Sequence, residues 1–382
     1  MAGYFVIALA ALAILAPAAS TAPQVESFAP LQLDRLNDTV TISPVLNGYE
    51  FTEHTILVSI GNPPQVLNMK LSTTHADFRV YSDAMPKYLV SHHKLYNPDD
   101  SKSAEWIEGA YWNDSKRGGP VYRDSVEVGQ LITPHQVVQT VREIVLTEKS
   151  LRPDREGHEG ELGLAFGSRN LVEPVKQKTW LENMTGDLEA PTFTVELYHE
   201  RPGRFTFGAM KTPSYINGIT YTAVDNEAGL WGFTTTGWAI GDGIVYRNED
   251  IPAIIALGSP FTMMPEGIVR RYWENVDGAK RVGPDKHHFP LDTDVWIYPC
   301  NSELPDFFYG VEDIKIHVPN YLIGMKFKRD HTTECVGALQ SHRDDKTVVL
   351  GDSFLKPAFV VFDAANPPRI GFAPKDAVNR AT

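Results

Sequence analysis

The 382-residue sequence predicts a mainly-β protein of two lobes, and three observations lead there. Short β-like segments are separated by Gly, Pro, Asn and Asp, helical periodicity is scarce, and one strand-turn-strand pattern occurs twice. The strand-like segments are Ile56–Ile60, Val66–Leu71, Phe78–Tyr81, Val121–Val128, Phe193–Leu197, Phe205–Gly208 and Val348–Gly351. The best helical stretch is Pro265–Val276, where Ile268, Tyr272 and Val276 recur every four residues behind an opening proline. The repeat is NMKLSTTHADFRVYS at Asn68–Ser82 and PAIIALGSPFTMMP at Pro252–Pro265. In each copy an apolar strand enters a small-residue turn and leaves into more apolar chain, the pattern of a duplicated half. The chain is too long for one β core, so two β domains are expected, joined near residue 210.

Composition narrows the function. Apolar residues make up 42% and charged residues 22%, ordinary values that exclude disordered, collagen-like and coiled-coil chains. Lys plus Arg number 35 against 48 Asp plus Glu, a net charge of −13 that repels polyanions, so no nucleic-acid partner is expected. Two cysteines are too few for a disulfide scaffold or a zinc ribbon and enough for one bridge in an oxidising compartment. Such a compartment is expected. Tyr4 to Ala16 is an uncharged apolar run followed by small residues to Ala22, which reads as a signal peptide over residues 1–22. The run is too short to cross a bilayer, so no stable membrane anchor is expected. Asn37, Asn113 and Asn183 each open a glycosylation sequon.

Six stretches, in order, resemble one family. VSIGNPPQVLNMKL, ending at Leu71, is similar to the entry to the first catalytic loop of pepsin-like aspartic proteases (peptidase family A1). YWNDSKRGGPVYRDSVEVG from Tyr111 resembles the flap hairpin of that family, and GELGLAFGS from Gly160 the strand and turn that follow. FTVELYHERPGRFTFG from Phe193 and AVDNEAGLWGFTTTGWAIGDG from Ala223 are similar to its fungal secreted branch, the aspergillopepsins and penicillopepsins. VVLGDSFLKPAFVVFDAANPPRIGFAPK resembles its closing strands. The resemblance implies an all-β, two-lobed fold with an interlobe cleft under a flap hairpin. It implies a short leader at 23–46, an amino-terminal lobe with the flap at 47–210 and a carboxy-terminal lobe at 211–382. It also implies a bridge between Cys300 and Cys335.

The family's chemistry needs one Asp from each lobe, two close carboxylates sharing a proton so that one activates water and the other acts as acid. Here the resemblance sets Ser72 and Ala256 at those positions, in turns reading Ser72-Thr73-Thr74 and Ala256-Leu257-Gly258. Thr74 stands where the family has Gly, Pro260 lacks a backbone N–H, and Arg79 stands where fungal members carry a Trp behind the flap tyrosine. The flap keeps Tyr111, but Trp112, Asn113 and Asp114 replace a Gly-rich tip. Ordinary peptidase activity is therefore not expected.

Other residues offer other chemistry. Ser72, His75 and Asp77 suggest a hydrolase triad, but side chains this close on a strand and turn are expected to diverge, leaving His75 and Asp77 structural. A milder scheme takes His75 as a single general base and Tyr111 as proton donor to a small molecule. Trp112, Asn113, Thr74, Gly258 and Ser259 are the expected cleft and flap residues. Trp106, Trp231 and Trp238 are near the cleft by resemblance, although aromatics in β proteins are more often core. The pairs His92-His93 and His287-His288 read as solvated loop residues, and the run from Lys326 to His331 as an exposed turn; no metal or cofactor is expected.

Three functions follow as expectations: non-proteolytic chemistry on a small molecule, such as a dehydration, isomerisation or cyclisation in a fungal secondary-metabolite pathway; a pseudoprotease binding a peptide or glycan or acting as an inhibitor; and, last, an aspartic endopeptidase. The protein is expected to be a monomer, secreted or delivered to a vacuole lumen.

Overall fold

In the computed structural model the described residues are 37–47, 52–145, 153–209, 218–241, 246–283, 294–325, 333–342 and 346–375. Strands dominate. The first half supplies β1 (Asp38–Leu46), β2 (Thr52–Ile60), β3 (Gln65–Ser72), β4 (Phe78–Tyr81), β5 (Glu105–Asn113), β6 (Arg117–Val128), β7 (Leu131–Val141), β8 (Glu143–Ile144), β9 (Gly160–Gly163), β10 (Val172–Glu173), β11 (Thr192–Glu196) and β12 (Gly203–Phe207). Each segment read as a strand overlaps a strand. The helix Glu266–Trp273 starts behind Pro265 and buries Ile268, Val269, Tyr272 and Trp273, the apolar face its periodicity predicts.

The sequence repeat is a topological repeat. β9 lies between β3 and β4, parallel to the first and antiparallel to the second, so the chain from Thr73 to Asp77 passes over the end of β9. In the second half Val348–Leu350 lies between Ile251–Ile255 and Thr262–Met264 in the same two senses. Each crossing forces backbone against backbone. A Cβ on Gly163 would sit 2.5 Å from the carbonyl carbon of Ala76, and one on Gly351 would sit 2.0 Å from the Phe261 oxygen, so only glycine fits either place.

The halves are joined by a shared sheet. It runs from β3 through β2, β1, β12 and β11 to Ala358–Asp363, Arg369–Pro374 and Thr220–Ala223. Phe193 on β11 is registered with Phe362, their rings stacked at 4.4 Å, and Phe205, Phe207 and Trp231 pack around them. Each such side chain contributes about 1.5–3 kcal/mol by leaving water. Residues 38–46, within the stretch expected as a leader, form β1: they pair with both β12 and β2, and Ile42 is buried in the core. Cys300 and Cys335 are bridged, with sulfurs 2.04 Å apart. Among the described residues no helix is long and apolar enough to cross a membrane. Residues 1–22, His287, His288 and the run from Lys326 to Arg329 through His331 lie outside the described residues.

Candidate functional site

The two repeated turns meet through one hydroxyl. Thr73 is buried, and its Oγ1 donates to the carbonyl of Ile255 at 2.7 Å and accepts the amide of Leu257 at 2.9 Å. The link is one-sided, because Leu257 has no hydroxyl to return it. Gly258 adopts φ +86° and comes so close that a Cβ would lie 2.3 Å from the Leu71 oxygen. Beneath this second turn Asp352 accepts the Gly258 amide at 2.8 Å and faces Nδ1 of buried His54 at 2.9 Å. Ala256 is buried and Ser259 turns its hydroxyl to the Phe261 carbonyl at 3.2 Å, so neither offers a reacting group.

The first turn opens onto a row of charges. Lys70 on β3 is registered with Glu161 on β9, and Glu161 with Arg79 on β4, so the three stand side by side across three strands. Glu161 forms an ion pair with Arg79 Nη2 and lies 2.8 Å from His75 Nδ1. Burial pushes the Glu161 carboxyl up, but Arg79, His75 and Lys70 more than reverse this and hold it well below the ordinary carboxylate value. It is therefore ionised. The Arg79 guanidinium, also buried, continues to Asp114 Oδ2 at 2.7 Å and lies 5.6 Å from the Trp112 ring. Further along, Glu156 binds Arg117 at 2.9 Å and accepts the Tyr81 hydroxyl, and Glu53 meets His158 Nδ1 at 2.7 Å. Burial alone raises Glu53, yet His158 and Lys70 bring it down to about 2, whereas burial prevails at Glu156 and raises it.

Flap register decides which aromatic faces this row. β5 and β6 form the hairpin, with a register shift between Trp106 and Tyr111 where Gly109 takes φ +73°. The bulge exchanges the faces of the strand beyond it. Ala110 and Trp112 point inward, and the Trp112 indole donates to the Thr140 carbonyl at 2.9 Å. Tyr111 points outward and donates to Glu143 at 3.0 Å. Asp114 closes the tip by accepting the amides of Lys116 and Arg117 while holding Arg79.

Several expectations change. Ser72 and His75 do not diverge: Oγ and Nδ1 are 3.2 Å apart, and the Thr74 hydroxyl lies between 3.2 and 3.4 Å from both. The carboxylate at His75 is Glu161 and not Asp77, which ties down Gln139, Asn170 and the Leu171 amide. No triad results, because one nitrogen, Nδ1, faces both Ser72 and Glu161, and Ser72 is buried. The Tyr111 hydroxyl is engaged by Glu143 and makes no hydrogen bond to His75 among the described residues. Trp112, Trp231 and Trp238 are core residues, while Trp106 is exposed. His93 is not a solvated loop residue; its side chain is 7% exposed and its Nε2 lies 2.7 Å from the Pro153 carbonyl. Asn113 is exposed at the flap tip. Glu161 and Arg79 were missed as a site, although a carboxylate inside the apolar run GELGLAF was the available signal. A cavity of about 680 Å³ borders the second turn at Pro260 and Asp352 and extends against Thr52, Tyr298, Tyr321 and Lys356; neither Ser72 nor His75 lines it. Among the described residues no group of three His, Cys, Asp or Glu side chains could hold a metal ion.

Duplicated strand crossings, turns joined through Thr73 and a hairpin whose tip is held by Arg79 define a pepsin-like, two-lobed all-β protein. The family model for eukaryotic aspartyl protease matches residues 53–375, and the chain belongs to that family. It is 34% identical to endothiapepsin of Cryphonectria parasitica over 83% of this chain and 74% of the relative. It is 33% identical to aspergillopepsin-1 of Aspergillus oryzae over 88% of this chain and 81% of the relative, and 31% identical to penicillopepsin-3 of Penicillium janthinellum over 88% and 81%.

Proposed function

We propose that this chain uses its cleft for chemistry other than peptide hydrolysis, with His75 as a single general base acting on a small molecule inside the secretory route or outside the cell. The observation that carries the proposal is the 2.8 Å approach of His75 Nδ1 to Glu161 in a ring whose side chain is 40% exposed. An ionised carboxylate accepts, so Nδ1 carries the proton and the lone pair resides on Nε2, which has no hydrogen-bond partner among the described residues. A base of this kind suits removal of an acidic C–H or O–H proton, the first step of a dehydration, isomerisation or ring closure. Tyr111 is left out of the scheme, since its hydroxyl is given to Glu143.

The pepsin names of the relatives make peptidase activity the competing expectation. Shared-proton hydrolysis needs a carboxylate from each turn, and residues 72–74 and 256–258 contain none. A binding role without turnover is the second reading, favoured by the Arg79–Asp114 pair that fastens the flap tip to the floor.

The test incubates the purified protein and a His75→Ala variant with extracts of the source organism at several pH values, following peptides and small metabolites by mass spectrometry. A metabolite changed by the parent and not by the variant supports the proposal. Saturable retention without change gives the binding role, and new peptide ends restore the peptidase.

A further inference from the structure

We propose that Asn113, at the tip of the flap hairpin, is the one asparagine of the three sequons that carries an N-linked oligosaccharide, so that the flap bears a glycan beside the Arg79–Asp114 ion pair. The proposal rests on the secretory route above. Attachment is through Nδ2, and the three side chains differ in what surrounds that atom. Asn37 is half-buried where β1 begins; its Nδ2 donates to Glu189 and its Oδ1 accepts the Ala209 amide at 2.6 Å. Asn183 is half-buried in the short helix Trp180–Met184, and its Nδ2 donates at 2.9 Å to Gln136, a residue only 1% exposed. A sugar at either place would have to fit beside a half-buried nitrogen already packed against a partner that the fold uses.

Asn113 is different in each respect. It is exposed, and Nδ2 has no hydrogen-bond partner among the described residues, while Oδ1 accepts the Ser115 amide at 2.5 Å. Asp114 is turned away into its bonds with Arg79, Lys116 and Arg117, which fixes the tip with the Asn113 side chain outside. The donor required is a lipid-linked pyrophosphate oligosaccharide. The Nδ2–C1 glycosidic bond forms, the C1–O bond to the lipid pyrophosphate breaks, Nδ2 gives up one proton, and the lipid pyrophosphate leaves.

The experiment expresses the full chain in a yeast secretory host and treats the secreted protein with peptide N-glycosidase in ¹⁸O water, which converts each glycan-bearing Asn into labelled Asp. Peptide mapping should place the label at position 113 alone. Asn113→Gln and Ser115→Ala should each bring the intact mass to that of the bare polypeptide, the second leaving the asparagine in place. Label at 37 or 183, or secreted protein with no label, would overturn the assignment without touching the route. Retention of the chain in the cytosol without sugar would overturn both.

Discussion

Arg79 Nη1 stands 2.7 Å from Asp114 Oδ2, so a cation on a core strand holds the tip of the flap. The same guanidinium binds Glu161 on the neighbouring strand and lies against Trp112. Floor, wall and lid of this part of the cleft therefore converge on one side chain.

Arg79→Met leaves two carboxylates without their cation, one of them buried. Breaking a buried pair on one side costs about 3–5 kcal/mol, whereas replacing both partners by apolar groups is often neutral. Urea unfolding should show a large loss for Arg79→Met and a smaller one for Arg79→Met combined with Glu161→Leu. Hydrogen exchange at residues 112–118 should quicken in both variants, because the flap tip loses its anchor in either case. An unchanged flap would contradict the pinning role.

Thr73→Val removes the hydroxyl between the two turns and keeps the volume. The Leu257 amide and the Ile255 carbonyl then lose their shared partner in a dry position, each costing about 1–3 kcal/mol. Thr73→Ser should recover most of the loss. Equal denaturation midpoints for Val and Ser would mean that the hydroxyl carries no link between the lobes.

Acid should weaken the fold through two carboxyls. Glu161 and Glu53 titrate lower in the folded chain than in the unfolded one, so their contribution is complete above the unfolded value of 4.5 and is lost as pH falls through the folded values, about 2 for Glu53. Glu156 is raised, so its contribution is complete below 4.5 and fades as pH rises through its folded value. Denaturant midpoints measured from pH 6 to pH 2 should fall, and Glu53→Gln should flatten part of that fall. A parent curve with no acid limb would remove Glu161 and Glu53 as ionised anchors.

The protonation pattern of His75 can be observed without a substrate. In ¹⁵N-histidine-labelled protein at a pH where the ring is neutral, the resonances removed by His75→Ala should belong to an Nδ1–H tautomer. Glu161→Gln should shift that population toward Nε2–H. A parent ring already in the Nε2–H form would remove the base from the cleft.

Much of this architecture is legible in the sequence. Short β-like runs bounded by Gly, Pro, Asn and Asp marked Ile56–Ile60, Phe78–Tyr81 and Val348–Gly351, because strands end where such residues turn the chain. The repeated pattern at Asn68–Ser82 and Pro252–Pro265 marked the turns that meet at Thr73, and the order of six stretches marked the family. Site chemistry was harder to read. His75, Ser72 and Asp77 are near in sequence, and proximity suggested a partner for His75 that the fold does not use.

What the chain determines by itself is the set of strands, the pair of facing turns and the residue types those turns contain, since these follow from local pattern and composition. What only tertiary structure decided is which charges are neighbours. Glu161 reaches His75 and Arg79 because β9 inserts between β3 and β4, and Trp112 displaces Tyr111 from the inner face because the bulge between Trp106 and Tyr111 shifts the register by an odd number of residues and so reverses the strand beyond it. Both outcomes depend on strand order and register, which couple residues far apart along the chain and leave no periodic trace in it.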